Sequence, residues 1–247
     1  MNGRFLVFGA TGGIGGALCR QLVKDGCEPV LIARDRGKLD ELSEELGVAS
    51  HSVDCRDWEQ VESLVANLAE EDQPFDGVAV CIGSLLTKPA HLTRQEEFEA
   101  TIENNLSVAF GILRAVVRPM MKVGGSIVLV SSAAARIGIS NHEAIAAAKA
   151  GLIGLTLSAA ATCAARGIRV NCVAPGLTET PMTEKLTANE AGRRGSESMP
   201  ALGRLGRPEE VARAIAWLLD RQQSWVTGQT IGVDGGLGVT LARRAAL

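Results

Sequence analysis

Not one of the 247 residues is a tyrosine. Aromatics together make up 3% of the chain, so any core must be assembled from aliphatic side chains, which a 46% hydrophobic content supplies. Basic runs are missing too. The net charge is −3, and no stretch of cations is long enough to follow a phosphate backbone, so nucleic acid is not an expected partner. The cysteines (Cys19, Cys27, Cys55, Cys81, Cys163 and Cys172) contain no CxxC pair, and the three histidines complete no zinc pattern, so no metal is expected. These thiols read as buried and reduced. No unbroken run of about 18 apolar residues is present, and no membrane span is expected. Met1 to Arg4 lead straight into Phe5-Leu6-Val7-Phe8, too short for a secretory hydrophobic region, which points to the cytoplasm.

What is there is a regular alternation. Short apolar runs predict strands over 4–9, 28–33, 48–53, 77–82, 125–131, 168–174 and 229–233. Helical patterns fall between them, near 13–25, 36–46, 57–71, 93–121, 142–166 and 208–220. Val78-Ala79-Val80-Cys81-Ile82 and Ile127-Val128-Leu129-Val130 are hydrophobic throughout. Strands covered on both faces read this way, and strand–helix alternation argues for a parallel sheet. With no linker or repeat, residues 1–247 form one α/β domain, a doubly wound sheet of about seven strands with helices on both faces. Residues 178–206 break the alternation. Polar, Gly-rich and without a clean period, they read as a mobile, lid-like insertion over a site.

Gly9-Ala10-Thr11-Gly12-Gly13-Ile14-Gly15-Gly16 follows the first strand and opens a helix. Glycines permit a tight turn and let the backbone approach a pyrophosphate, while a helix N-terminus offers free N–H groups and a favourable dipole. This strand–turn–helix context marks a Rossmann-type dinucleotide site. Arg34 is the first residue off the second strand, with Arg36 and Lys38 nearby. A cation here suits a 2′-phosphate, whereas a carboxylate would suit ribose hydroxyls. Asp35 could play the latter part, but Arg34 is preferred, favouring NADP (as NADPH) over NAD.

Further along, ordered segments accumulate: Asn105-Leu106-Ser107-Val108, Gly125 through Ser132, Ala146-Ala147-Ala148-Lys149, Arg169 through Gly176, Gly203 through Ala212, and Val226 through Gly236. With the glycine turn they cover roughly residues 4–238. Together they resemble the short-chain dehydrogenase/reductase family, in particular its 3-oxoacyl-(acyl-carrier-protein) reductase-like members. The resemblance implies that Asp54 lies beside the adenine and that Gly83 gives close approach to the cofactor. It also implies that Pro175, Gly176 and Thr178 flank the nicotinamide. Two departures stand out: Phe8 occupies a position usually held by Thr, and Val80-Cys81-Ile82-Gly83 replaces the usual Asn-Asn-Ala-Gly.

The resemblance also implies a catalytic set: Ser132 on the substrate oxygen, Lys149 on the nicotinamide ribose, Asn105 in a proton relay, and a Tyr four residues before the Lys as proton donor. Position 145 is Ile, thirteen residues after Ser132, and no register shift supplies a Tyr. His142, three residues before Ile145, shares a helical face with Ile145 and Lys149 if the helix has begun, and imidazole is a natural proton donor. It reads equally as a solvent-exposed helix start, and Ser132 with Lys149 and a water is another relay. Three functions follow. The first is an oxidoreductase acting on a small carbonyl or alcohol with a rewired relay. The second is a dinucleotide-binding sensor, and the third a pseudo-enzyme subunit. The retained Ser132, Asn105 and Lys149 favour the first. Family assemblies imply a homodimer or homotetramer formed through the long helices of 93–121 and 142–166 and the last strand.

Overall fold

The computed structural model describes residues 2–70 and 74–240. Its seven strands are β1 (Arg4–Phe8), β2 (Glu28–Ala33), β3 (Ser50–Ser52), β4 (Gly77–Val80), β5 (Gly125–Val130), β6 (Ile168–Pro175) and β7 (Thr230–Val233). They form one parallel sheet in the order β3-β2-β1-β4-β5-β6-β7. All seven predicted strands are present. Along each central strand, alternate residues feed opposite faces. Leu6, Phe8, Val30, Ile32, Val78, Val80, Ile127 and Leu129 lie in one apolar layer. Phe5, Val7, Leu31, Ala79, Val128 and Val130 lie in the other. Both faces are buried, which is why the sequence runs lacked alternation.

The helices are α1 (Gly13–Lys24), α2 (Arg36–Leu46), α3 (Trp58–Glu70), α4 (Gln95–Ile102), α5 (Val108–Met120), α6 (Glu143–Cys163), α7 (Glu190–Glu197) and α8 (Pro208–Leu219). α3, α5 and α6 cover the first layer, α1, α2 and α8 the second. Two details depart from the sequence reading, and one end of a pattern is not tested. The stretch 93–121 is two α-helices joined by a π-helical turn, Glu103–Ser107. Residue 71, the end of the pattern at 57–71, lies outside the described residues. The insertion at 178–206 contains α7, started by the Asn189 side chain accepting from Gly192 N at 2.8 Å.

α6 also qualifies the membrane expectation. Glu143–Arg166 is long and apolar enough to cross a bilayer by length and composition. Yet it carries buried Lys149 and packs against β6 and α4, as a core helix would.

The strand order reverses at β1: β2 lies on one side of it and β4 on the other. The loops leaving β1 and β4 therefore diverge, and a crevice opens at their C-terminal ends. The first of these turns depends on glycine. Gly9 has φ of +82°, and a Cβ there would stand 2.9 Å from the Cys81 carbonyl carbon. At Gly15 a Cβ would sit 2.2 Å from the Gly9 carbonyl oxygen. That glycine serves the packing of helix on turn as well as access for a ligand.

Candidate active site

Two cavities open along this crevice. One, of about 350 Å³, is lined by Gly9, Thr11, Gly12, Arg34, Asp54 and Gly83 among others. The second, of about 460 Å³, is lined by Ile14, Ser132, His142, Ile145, Lys149 and Thr178 among others. They share Cys81–Ser84 and Met182. The shape suits a long ligand crossing from the first cavity into the second.

At the first cavity, α1 starts at Gly12 with no side-chain cap and no acidic residue in its first turn. Its leading N–H groups are therefore available to an anion. Gly13 serves closeness of another kind: a Cβ there would stand 2.7 Å from the Thr180 methyl. Arg34 and Asp35 are sharply different. The Asp35 carboxylate caps α2, accepting from Lys38 N at 3.3 Å, and pairs with Lys38 Nζ at 3.6 Å. Arg34 is exposed, and among the described residues its guanidinium enters no ion pair. Asp54 is engaged by Arg56, with Nη2 at 2.5 Å, and this hydrogen bonding holds its carboxyl down at about 2. Its carboxylate is thus already partnered where an adenine contact was expected.

At the second cavity the predicted residues converge. Lys149 is buried on α6, and its Nζ donates to the Val130 carbonyl at 2.8 Å. Burial pushes the amine down to about 8. Neighbouring Ser131 anchors that turn, its hydroxyl donating to the Lys149 carbonyl at 2.7 Å. Ser132 follows β5 in extended backbone, and its Oγ accepts from Ala134 N at 3.2 Å. Its own hydrogen is left to donate into the cavity. Gly83 lies against the polar pair: a Cβ there would be 2.9 Å from Asn105 Oδ1 and 3.1 Å from Lys149 Nζ. No larger residue fits between them. Asn105 sits in the π-helical turn, a common device for re-aiming a functional side chain. Thr178 is buried, its hydroxyl donating to Gly176 O at 3.0 Å, and Pro175 ends β6.

His142 is the cap residue of α6, just outside the helix. It still lines the same cavity as Ile145 and Lys149. Its Nδ1 lies 2.8 Å from Ser140 O. A carbonyl only accepts, so Nδ1 carries the proton and Nε2 is the ring nitrogen left over. Ile145 is 3% exposed and lines the wall one turn before Lys149, so a hydrocarbon occupies that place.

Sequence reading missed Ser84. Its Oγ accepts from Asn105 Nδ2 at 3.0 Å, and its N donates to Asn105 Oδ1 at 3.1 Å, while Asn105 Nδ2 also reaches Thr101 O at 2.9 Å. The asparagine amide is thereby fixed in orientation. Nothing local signals a partner 21 residues away. Cys81, expected to be buried, keeps a small part of its surface open, and it lines both cavities. Burial raises its thiol to about 12, so it stays neutral. The insertion at 178–206 roofs the second cavity with Met182, Leu186 and Met199.

Known proteins share this architecture. The family model described as enoyl-(acyl carrier protein) reductase matches residues 9–238. The chain belongs to the short-chain dehydrogenase/reductase family. The 3-oxoacyl-(acyl-carrier-protein) reductase of Thermotoga maritima is 39% identical over 240 residues, covering 94% of this chain and 96% of that one. Among solved structures, a short-chain type dehydrogenase/reductase from Mycobacterium ulcerans has a TM-score of 0.92 at 27% identity, covering 97% of this chain and 90% of that one. A variant of actinorhodin polyketide ketoreductase, solved with NADPH, has a TM-score of 0.89 at 30% identity, covering 96% and 97%.

In this short-chain dehydrogenase/reductase the buried lysine leaves a thermodynamic signature. Its folded value near 8 lies below the ordinary 10.5, so between these two the unfolded chain holds more protons than the folded one. Stability of the ligand-free protein should then rise with pH across that interval, relative to a Lys149→Met variant, and level off on either side. Urea midpoints of both proteins from pH 7 to 11 test this. A constant difference between them would show that the ammonium is not desolvated.

Proposed function

We propose that this chain is an NADP-dependent oxidoreductase acting on a small carbonyl or alcohol, with a proton relay that does without tyrosine. The observation that carries the reading is the meeting of Ser132, Lys149 and the Asn105–Ser84 pair where the two cavities join. The glycine turn and the uncapped start of α1 would hold the pyrophosphate, and Lys149 the nicotinamide ribose. NADPH, when bound, supplies the hydride. Ser132 would donate its free hydrogen to the substrate oxygen, and His142, as the imidazolium, would supply from Nε2 the proton that oxygen needs.

The preference for NADP rests on Arg34, which is free to meet a 2′-phosphate while Asp35 is committed to α2. Calorimetry should give NADPH the higher affinity over NADH, and Arg34→Ala should erase most of the difference. Equal affinities in the unmodified protein would remove the NADP assignment.

For the relay, His142→Ala is expected to lower turnover of a carbonyl substrate about 10²-fold with little change in NADPH affinity. Full activity in that variant excludes His142. Ile145 favours a second reading, a dinucleotide-binding sensor or pseudo-enzyme subunit, because the wall beside Lys149 offers no acid. Tight NADPH binding without turnover over a broad carbonyl panel would select it. A homodimer or homotetramer fits α6, whose outer side carries exposed Ala147, Gly154 and Leu157 in a row. Light scattering should return a mass of two or four chains in the cytoplasmic, soluble protein.

A further inference from the structure

The second cavity holds few groups that could neutralise a new negative charge during hydride transfer. Ile145 contributes hydrocarbon at the wall one turn before Lys149. Ser132 has a hydrogen to donate, since its oxygen already accepts from Ala134 N. As an alcohol, however, it is no stronger an acid than the alcohol product would be. Lys149 has one N–H committed to Val130 O, in a niche closed by Gly83. His142 stands half-exposed at the helix start, with Nδ1 held by Ser140 O. The remaining walls include Leu85, Ile139, Met182, Leu186 and Met199, and among the described residues that line it Lys149 carries the only formal charge.

We infer that the substrates suited to this cavity are uncharged, apolar, conjugated carbonyl compounds, enones or quinones, whose hydride adduct is a delocalised oxyanion. The inference rests on the oxidoreductase reading and narrows its substrate. A simple alkoxide is the anion of an acid near that of water, ~16, so it must be protonated as it forms, whereas a phenolate-like oxyanion belongs to an acid near ~10. The latter needs only a hydrogen bond from Ser132 and the field of Lys149, and it can await a proton. In an enone, the hydride's electron pair forms a C–H bond at the β-carbon. The C=C pair then becomes the bond between the α-carbon and the carbonyl carbon, and the C=O pair moves to oxygen as an enolate. A proton, from His142 or water, adds at the α-carbon afterwards. The two electrons come from the reduced nicotinamide dinucleotide, which is oxidised accordingly.

Two measurements test this. The first needs no turnover: substituted phenols of graded acidity are titrated into the NADP-loaded protein, and their absorbance reports whether they bind ionised. The native protein should bind the phenolate form at a pH where the free phenol is neutral, and Ser132→Ala should lose this. Phenols that stay neutral, or do not bind, overturn the inference. The second compares NADPH consumption with a cyclic enone and the saturated ketone of the same skeleton. The enone should be preferred about 10²-fold or more, with the label of deuterated NADPH found at the β-carbon. Ile145→Tyr should raise ketone turnover selectively. Equal use of the two carbonyls, or preference for the ketone, overturns the substrate class and leaves the oxidoreductase reading standing. Tight NADPH binding with neither compound consumed overturns both.

Discussion

The site is organised around one buried cation. An ammonium taken out of water is tolerated only where fixed dipoles replace its hydration. Here the Val130 carbonyl at the end of β5 supplies one. Holding Lys149 there requires the end of β5, the bare backbone of Gly83 after β4 and the aligned amide of Asn105 to come together. Three elements distant in sequence are thereby locked to one another. The parallel sheet makes this possible because all its strands end on the same side.

The fold was legible because its rules are local and repeated. Continuous aliphatic runs at 77–82 and 125–131 marked strands buried on both faces, and the turn from Gly9 to Gly15 marked where the first helix begins. α7 escaped notice because Gly192 and Gly195 dilute its period and charge pairs such as Arg194–Glu190 stabilise it instead of an apolar face. The π-helical turn at Glu103–Ser107 keeps a helical pattern while changing its hydrogen bonding, so periodicity does not distinguish it.

In the site, residue identity was readable and pairing was not. Ser132, Lys149 and Asn105 were named by the family resemblance, and the fold gathers them beside one crevice, while the preference for Arg34 over Asp35 was an argument from charge. The link from Asn105 to Ser84, the opening of Cys81 to the cavities and the engagement of Asp54 by Arg56 depend on side-chain directions that one-dimensional spacing does not encode. His142 shows the intermediate case. Its helical spacing assumed a helix already begun, whereas His142 is the cap of α6, with Nδ1 committed to Ser140, and lines the cavity from there.

The insertion over the cavity leaves and re-enters the body at nearly one point. Thr178 and Gly206 pair directly, with Glu179 N on Gly206 O at 2.9 Å and Gly206 N on Leu177 O at 3.0 Å. A segment clamped at its base is a cassette. Because closing a loop costs free energy only as the logarithm of its length, residues between the clamp points can be lengthened, shortened or exchanged with small effect on the stability of the sheet below. The roof of the cavity and its floor are therefore free to diverge at different rates: new shapes of substrate can be tried in the cassette while the buried lysine and its supports stay as they are.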